Sequence, residues 1–185
     1  MAINQFNITL IPRQPIVDKF GSVPTQLFVD HAARKKHFGK SFGAEFDFED
    51  DLTINWWQNC KIKYTDIEPI VSSILSPIKW TEEFYDSKSY GDKNDNDIFI
   101  GLADKIYIDE FDCRINVAQL DKNFINLILD LAKELDCLII DKRDRLFDPT
   151  IENLMESIKQ SNAFKFVSNP SNFFDKLSTG HIKPE

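Results

Sequence analysis

The sequence has little of what usually builds a catalytic or metal site. Its 185 residues include three His, three Cys and six Gly, and these are spread along the chain. No glycine-rich phosphate loop, zinc-type Cys and His spacing or strand–turn–helix motif around a nucleophilic Ser can be identified. We therefore predict no catalytic residue, no cofactor and no metal site, and the pattern favours a binding protein over an enzyme.

Disulfide frameworks, membrane spans and targeting segments are not indicated either. Cys60, Cys113 and Cys137 are odd in number and widely spaced, which is not the pattern of a disulfide-stapled domain. No apolar stretch approaches the roughly 20 residues that a membrane-spanning helix needs. The N-terminus does not combine a basic start with an apolar segment, as a signal peptide would. We expect a cytoplasmic protein without a membrane partner.

The charge is negative and unevenly distributed along the chain. The net charge is -8, yet residues 1–40 contain six Lys and Arg against two Asp and Glu. The rest of the chain is therefore strongly acidic, and such a surface repels the phosphates of nucleic acids. It attracts a basic partner over a long range. We expect a basic protein partner and no nucleic acid, although acidity for solubility alone explains the same composition.

Sequence periodicity predicts an α+β fold. Strands are expected where apolar and polar residues alternate, and helices where apolar residues recur at helical spacing. The order suggests a mainly antiparallel sheet with helices on one face, as in a ferredoxin-like or related sandwich. We expect an N-terminal strand and loop extension over residues 1–50, an α+β domain over 51–178 and a frayed tail over 179–185.

Several local elements follow from the same patterns. Strands are predicted at residues 5–11, 42–48, 52–57, 78–84, 98–102, 111–117, 137–140 and 164–166. A loop is expected over 12–24 because Pro and Gly punctuate it, and Thr65 with Glu68 forms a predicted capping box. Asp121 and Thr150 are predicted to cap two later helices. A shift in the alternation predicts a β-bulge near Asp109 and Glu110.

Two neighbouring features are candidates for partner binding. Five carboxylates fall within seven residues, namely Glu45, Asp47, Glu49, Asp50 and Asp51. In a strand the alternating members share one face, so they predict an acidic stripe that is either simply solvated or steers a basic partner. In the next predicted strand, Trp56 and Trp57 point to opposite sides. One ring is then an exposed binding anchor, or it is covered by the N-terminal segment.

The C-terminal third has a recognisable order of elements. It runs through Leu131 to Leu135, Leu138 to Asp141, Leu146 to Pro149 and on to Phe173 and Phe174. This order resembles small uncharacterised bacterial proteins, some of them of the polymorphic-toxin immunity type. The resemblance implies a protein that neutralises a toxin by occluding its active site.

Two other functions remain open from the sequence. One is an enzyme whose site is assembled from scattered residues, with Asp141, Arg143 and Asp144 at a strand end as candidates. The other is a self-associating accessory protein that forms a homodimer through an uncovered sheet face.

Overall fold

The computed structural model describes residues 4–38, 48–78, 86–92 and 95–181. The strands within these ranges are β1 (Gln5–Pro12), β2 (Ser87–Gly91), β3 (Asp97–Ala103), β4 (Tyr107–Asn116), β5 (Cys137–Asp141) and β6 (Leu146–Phe147). The helices are α1 (Arg13–Phe20), α2 (His31–Phe38), α3 (Tyr64–Ser72), α4 (Lys122–Glu134), α5 (Ile151–Gln160), α6 (Asn162–Ser168) and α7 (Pro170–Ser178).

The strands form one antiparallel sheet with β1 in its interior. The strand order is β2-β3-β4-β1-β5-β6, and each neighbouring pair is antiparallel. Because β4 and β5 both run opposite to β1, they are parallel to each other, and the connection through α4 crosses β1. This is the split strand–helix–strand unit found in ferredoxin-like folds. The predicted α+β class with a mainly antiparallel sheet is confirmed.

The position of β1 bears on the predicted extension over residues 1–50. Gln5 to Thr9 pair with β4, and Ile8 to Pro12 pair with β5. A strand bonded on both sides cannot be removed without splitting the sheet, so β1 is not an extension packed on a separate body. At the other end, residues 182–185 of the predicted frayed tail lie outside the described residues.

Helices α3 to α6 contribute apolar side chains to the main core on one face of the sheet. Asp121 caps α4 as predicted, since its carboxylate accepts hydrogen bonds from the N–H groups of Asn123 and Phe124, and Thr150 caps α5 through the N–H of Asn153. The core includes Ile8, Leu10, Ile67, Ile98, Phe111, Phe124, Ile128, Leu131, Leu154 and Ile158. Among the helices in the described ranges, none is both long and apolar enough to cross a bilayer.

The second face of the sheet has an apolar half and a polar half. Over β5 and β6, Leu138, Ile140 and Leu146 form a smaller core with residues from α1 and the segments that follow it, namely Ile16, Leu27 and Trp56. Over β1 to β4, the side chains that share this face are Asn7, Thr9, Ser89, Asp97, Phe99, Asp112 and Arg114. The N-terminal segment therefore covers the apolar half and leaves a polar surface beside it.

Several local predictions are wrong. Residues 13–20 form α1 instead of a loop, because Pro15 falls in the first helical turn, where no backbone N–H is needed. Residues 52–57 form turns instead of a strand, and 164–166 belong to α6. The capping box at Thr65 is absent, since α3 begins after Lys63 without a side-chain cap. The predicted strands at 42–48 and 78–84 fall almost entirely outside the described residues.

The predicted β-bulge is confirmed in the β3–β4 hairpin. Gly101 faces Glu110, whereas Leu102 faces Ile108, so Asp109 is the extra residue of β4. A Cβ atom on Gly101 would lie 2.7 Å from Oδ1 of Asp109 and 2.9 Å from Cβ of Glu110. Glycine at this position therefore lets both carboxylates lie against β3.

We expect Gly101→Ala to destabilise the protein by about 1–3 kcal/mol, as an added methyl group does in a packed site. Urea unfolding measures the loss. Asp109→Ala removes the atom that the new Cβ meets first, so it should recover part of the loss in the double variant. An unchanged free energy of unfolding in Gly101→Ala would contradict this close approach.

Candidate binding cleft

A cleft of about 570 Å³ lies over the polar half of the second sheet face. One wall is the sheet itself, with Thr9, Asp97, Asp112 and Arg114 among its lining residues. The opposite wall comes from α2, from Leu52 and from the turn between β5 and β6. Its volume falls within the range of ordinary ligand pockets, and both apolar and charged side chains line it.

Ion pairs fix several of the charged side chains of the cleft. On the sheet wall, the guanidinium of Arg114 forms a bidentate pair with Asp97, with Nε 2.9 Å from Oδ1. On the facing wall, Nε2 of His31 lies 2.8 Å from Oδ2 of Asp144, which joins α2 to the turn after β5. Burial raises the pKa of Asp144, although the contact with His31 opposes this change. Two pairs of charged residues that line the cleft are therefore already bonded to each other within the chain.

A second groove of about 410 Å³ lies next to this cleft, between β4 and the turn at residues 52–57; we call it the β4 groove. Its apolar wall is built by Leu52, Ile54 and Trp56, and its polar wall by Asp109, Glu110 and Asp112. Thr9, Leu52 and Asp112 line both cavities, so the groove and the cleft adjoin one another.

The carboxylates of the β4 groove differ from the buried carboxylates of the chain. Each buried Asp in the described ranges has a Lys, Arg or His partner; the pairs are Asp50–Arg34, Asp51–Lys19, Asp97–Arg114, Asp141–Arg145 and Asp144–His31. Within the same ranges, no ion pair joins Asp109, Glu110 or Asp112 to a cation. Asp112 instead accepts a short hydrogen bond from the hydroxyl of Thr9. The groove thus holds negative charge that the described chain does not neutralise.

Burial and mutual repulsion change the acidity of these groups. Partial burial of its carboxyl, followed by repulsion from Asp112, raises the pKa of Glu110 to about 7, even though the residue is exposed as a whole. Burial raises the pKa of Asp112 too, while the Thr9 hydroxyl opposes that change. Burial also raises the pKa of Asp109. Perturbed carboxyl groups in a cleft are a common mark of a functional site.

Apolar side chains border the groove on its solvent side. Leu52 and Ile54 are exposed, and Phe28 is 65% exposed. Phe28 and Ile54 line a further hollow behind the turn at residues 52–57. We call Phe28, Leu52 and Ile54 the apolar ridge. Exposed apolar side chains that lie together beside charged groups are typical of a protein interface.

The predicted acidic stripe lies mostly outside the described residues, and the end of the acidic run is divided between exposed and buried positions. Glu45 and Asp47 lie outside the described residues, and Glu49 is exposed. Asp50 and Asp51 are buried, because Asp50 pairs with Arg34 and Asp51 binds Lys19 and the N–H of Phe28. Both carboxylates are used inside the chain, so they are not available to a partner.

Neither tryptophan is an exposed anchor. Trp56 is 6% exposed and Trp57 is 3% exposed. The indole N–H of Trp56 donates to the carbonyl of Asp51, and that of Trp57 donates to the carbonyl of Leu10. The rings do diverge, since Trp56 joins the smaller core and Trp57 the main core. Of the two alternatives that the sequence allows, the structure shows the covered one.

The strand-end residues that the sequence offers for an enzyme are used mainly in contacts within the chain. Nη2 of Arg143 lies 3.3 Å from Oδ2 of Asp141, so these two residues form an ion pair. The carboxylate of Asp141 is buried between Ser157 and Arg145, and the guanidinium of Arg143 bonds to the carbonyls of Ser157 and Gln160. These two residues tie the end of β5 to α5. Asp144 also lines the cleft, and its carboxylate contacts the imidazole of His31, a group that can accept or donate a proton.

The residues of the β4 groove escape sequence analysis. Leu52 and Ile54 read as one face of a strand, and the groove forms only because the chain turns back over β4. A usable signal was present, since the predicted bulge coincides with Asp109 and Glu110, and bulges often re-aim side chains near functional sites. A predicted bulge that coincides with the closely spaced carboxylates of Asp109, Glu110 and Asp112 indicates β4 as a candidate site.

Comparisons with protein-family models, with curated proteins and with solved structures each gave no match. The geometry of the described residues is therefore what supports a function.

Asp50→Ala should destabilise the protein by about 3 kcal/mol, because it leaves the half-buried guanidinium of Arg34 without its carboxylate. The pair with Arg34 lowers the pKa of Asp50, so its contribution is present above the ordinary pKa and is lost as the pH falls below about 3.8. Urea unfolding at pH 7 tests this, with Glu49→Ala as the exposed neighbour that should change the free energy of unfolding by less than about 0.5 kcal/mol. Equal losses in both variants would refute the burial of Asp50.

Glu110→Gln should raise the melting temperature at pH 8 by about 2 °C, a small change because solvent screens this carboxyl. A raised pKa means that the native state keeps its proton up to pH 7, so stability falls as the pH rises through 4.5 to 7. Gln mimics the protonated form, so the gain should vanish near pH 4.5. Glu134→Gln on α4 is the control and should show no such pH dependence in a thermal melt.

Proposed function

We propose that this protein is a non-enzymatic binding protein that captures a basic protein partner on the β4 groove and the apolar ridge. The observation that carries the proposal is the contrast among its carboxylates. The buried ones have internal cations, whereas those of the groove have none in the described ranges and lie beside exposed Leu52 and Ile54. A basic partner would supply the missing positive charge.

The internal ion pairs explain why the partner should be basic. Arg13, Lys19 and Arg34 of the basic N-terminal segment already bind Asp136, Asp148, Asp51 and Asp50 within the chain. These cations are therefore not free to balance the rest of the surface, and the net charge of -8 remains to steer association. The apolar ridge adds the contact area that holds a partner once it has arrived.

Occlusion of a toxin is the form of this function that we favour. The C-terminal third resembles bacterial proteins of the polymorphic-toxin immunity type, and such a protein would act in the cytoplasm. A toxin that acts on nucleic acid needs a basic surface to hold phosphates. An acidic protein bound over that surface would prevent the nucleic acid from reaching it. Neutralisation would then require no chemistry from the immunity protein.

A second candidate is an enzyme that works in the 570 Å³ cleft, and the contact between His31 and Asp144 favours it. A His held by a carboxylate is the usual arrangement of a general base. The two candidates make different demands. An enzyme needs the imidazole of His31, whereas the binding surface needs the carboxylates of β4 and the apolar ridge.

The test is capture by immobilised protein from a bacterial lysate, with mass spectrometry of the retained proteins. The wild type is compared with Leu52→Ala/Ile54→Ala, with Glu110→Gln/Asp112→Asn, and with the charge-matched control Asp130→Asn/Glu134→Gln on α4. We expect the wild type and the control to retain a basic protein. The amount of this protein that is retained should fall at least tenfold with each surface variant. Because exposed charges are screened, retention should also fall between 0.1 M and 0.5 M salt.

Two results would refute the proposal. One is equal retention by all variants that unfold normally in urea. The other is recovery of the chain itself as the main bound species, which would support the self-associating homodimer instead.

A further inference from the structure

The lining of the β4 groove suits one long side chain, for which the groove would serve as a slot. Leu52, Ile54 and Trp56 supply apolar lining, and Asp109, Glu110 and Asp112 supply carboxylates. A flexible side chain with an aliphatic stem and a charged end can bury the stem against such a lining while the end reaches the carboxylates. The volume of about 410 Å³ leaves room for one such group with its solvent.

The carboxylates stand in a pair along one strand. Glu110 and Asp112 are two residues apart on β4, so both side chains point to the second face of the sheet. The Thr9 hydroxyl fixes Asp112, and the bulge at Gly101 lets the side chain of Glu110 lie against β3. Two acceptors held side by side in this way match a planar donor that carries several N–H groups.

The chain already uses this pairing on the same side of the sheet. Arg114 grips Asp97 through two nitrogens, and Arg34 grips Asp50 through Nε and a terminal nitrogen at 2.6 Å and 2.5 Å. The Asp97 pair lies in the row of the sheet next to Asp112. The local backbone and burial are therefore suited to a guanidinium. Glu110 and Asp112 also offer carboxylate oxygens, and within the described ranges no Lys or Arg forms an ion pair with them.

We propose that the β4 groove receives an arginine side chain of the partner protein, with its guanidinium shared by Glu110 and Asp112 and its stem along Leu52 and Ile54. This inference rests on the proposed binding function and names the group that the surface recognises.

Arginine fits better than lysine or a metal ion. A guanidinium presents five donors in a fixed plane and reaches two carboxylates at once, whereas an ammonium is a compact point charge. Within the described ranges, no group of three His, Cys, Asp or Glu side chains is arranged to hold a metal ion. The apolar wall also favours a ligand with an aliphatic part.

Binding of arginine should depend on pH. The groups that face Glu110 are Asp109 and Asp112 on β4, with Asp97 and its partner Arg114 beyond them and Asp86 beside Asp109. Burial of the carboxyl, followed by repulsion from these mostly negative neighbours, raises the pKa of Glu110 to about 7. A guanidinium requires the ionised form, and its binding releases the proton. Affinity should therefore rise between pH 6 and pH 8.

The experiment is an NMR titration of the full chain with acetyl-arginine methylamide, following the side-chain carboxyl carbons. The matched probe is acetyl-citrulline methylamide, which has nearly the same shape without the charge. We expect saturable shifts at Glu110 and Asp112 with a Kd on the order of millimolar, as befits a single side chain. Binding should be at least threefold tighter at pH 8 than at pH 6 and weakened at least threefold by Glu110→Gln. Glu134→Gln should leave it unchanged.

The outcomes separate this inference from the proposed function. Equal binding of the citrulline probe, or arginine shifts located away from β4, would overturn the arginine slot. If the slot fails in this way while Glu110→Gln/Asp112→Asn still loses the basic partner, the binding function stands and its recognition group is different. If arginine binds as expected but no basic partner is captured, the slot stands and the proposed function fails.

Discussion

The pairing of β1 with both β4 and β5 is the constraint on which the rest of the structure depends. It holds together two strands that are separated along the chain by α4 and unites the two halves of the sheet. It also determines where the N-terminal segment goes, because the chain leaves β1 directly into α1 on the second face. The polar side chains of β1 then become the floor of the cleft. Without this strand, neither the main core nor the cleft would close.

The direction of the chain after β1 explains the uneven charge of the sequence. The basic N-terminal segment folds back over an acidic remainder, and its cations find carboxylates at several points, such as Lys19 with Asp51 and Arg34 with Asp50. A charge asymmetry along the sequence is thus partly neutralised inside the fold. Exposed carboxylates such as Glu68, Glu134 and Glu152 remain on other elements, and the carboxylates of β4 add to this negative surface.

The sequence predicts those elements whose pattern is local and long. The α4 helix, its Asp121 cap and the β3–β4 hairpin with its bulge follow from periodicity and turn chemistry, since these act within a few residues. The turn at residues 52–57 depends on contacts with strands distant in the chain, so its short run of β-forming residues predicts a strand that does not form. The burial of Asp50 and of both tryptophans follows from that turn. The candidate site cannot be predicted from the sequence for the same reason, because its lining residues meet only in the folded chain.

The acidic pair of the β4 groove shows how a fold can hold two carboxyl groups whose ionised forms are disfavoured. Glu110 and Asp112 repel one another on a strand, and the raised pKa of Glu110 means that its ionised form is disfavoured near neutral pH. An arginine paired with these carboxylates would be a more stable arrangement. The same sheet face has such a pair one row away, between Arg114 and Asp97. Placing a second arginine beside Glu110 would relieve the repulsion but would occupy the groove. Within the described residues no cation pairs with these carboxylates. On the proposed function a basic partner would supply that interaction, and its free energy would then contribute to binding instead of folding.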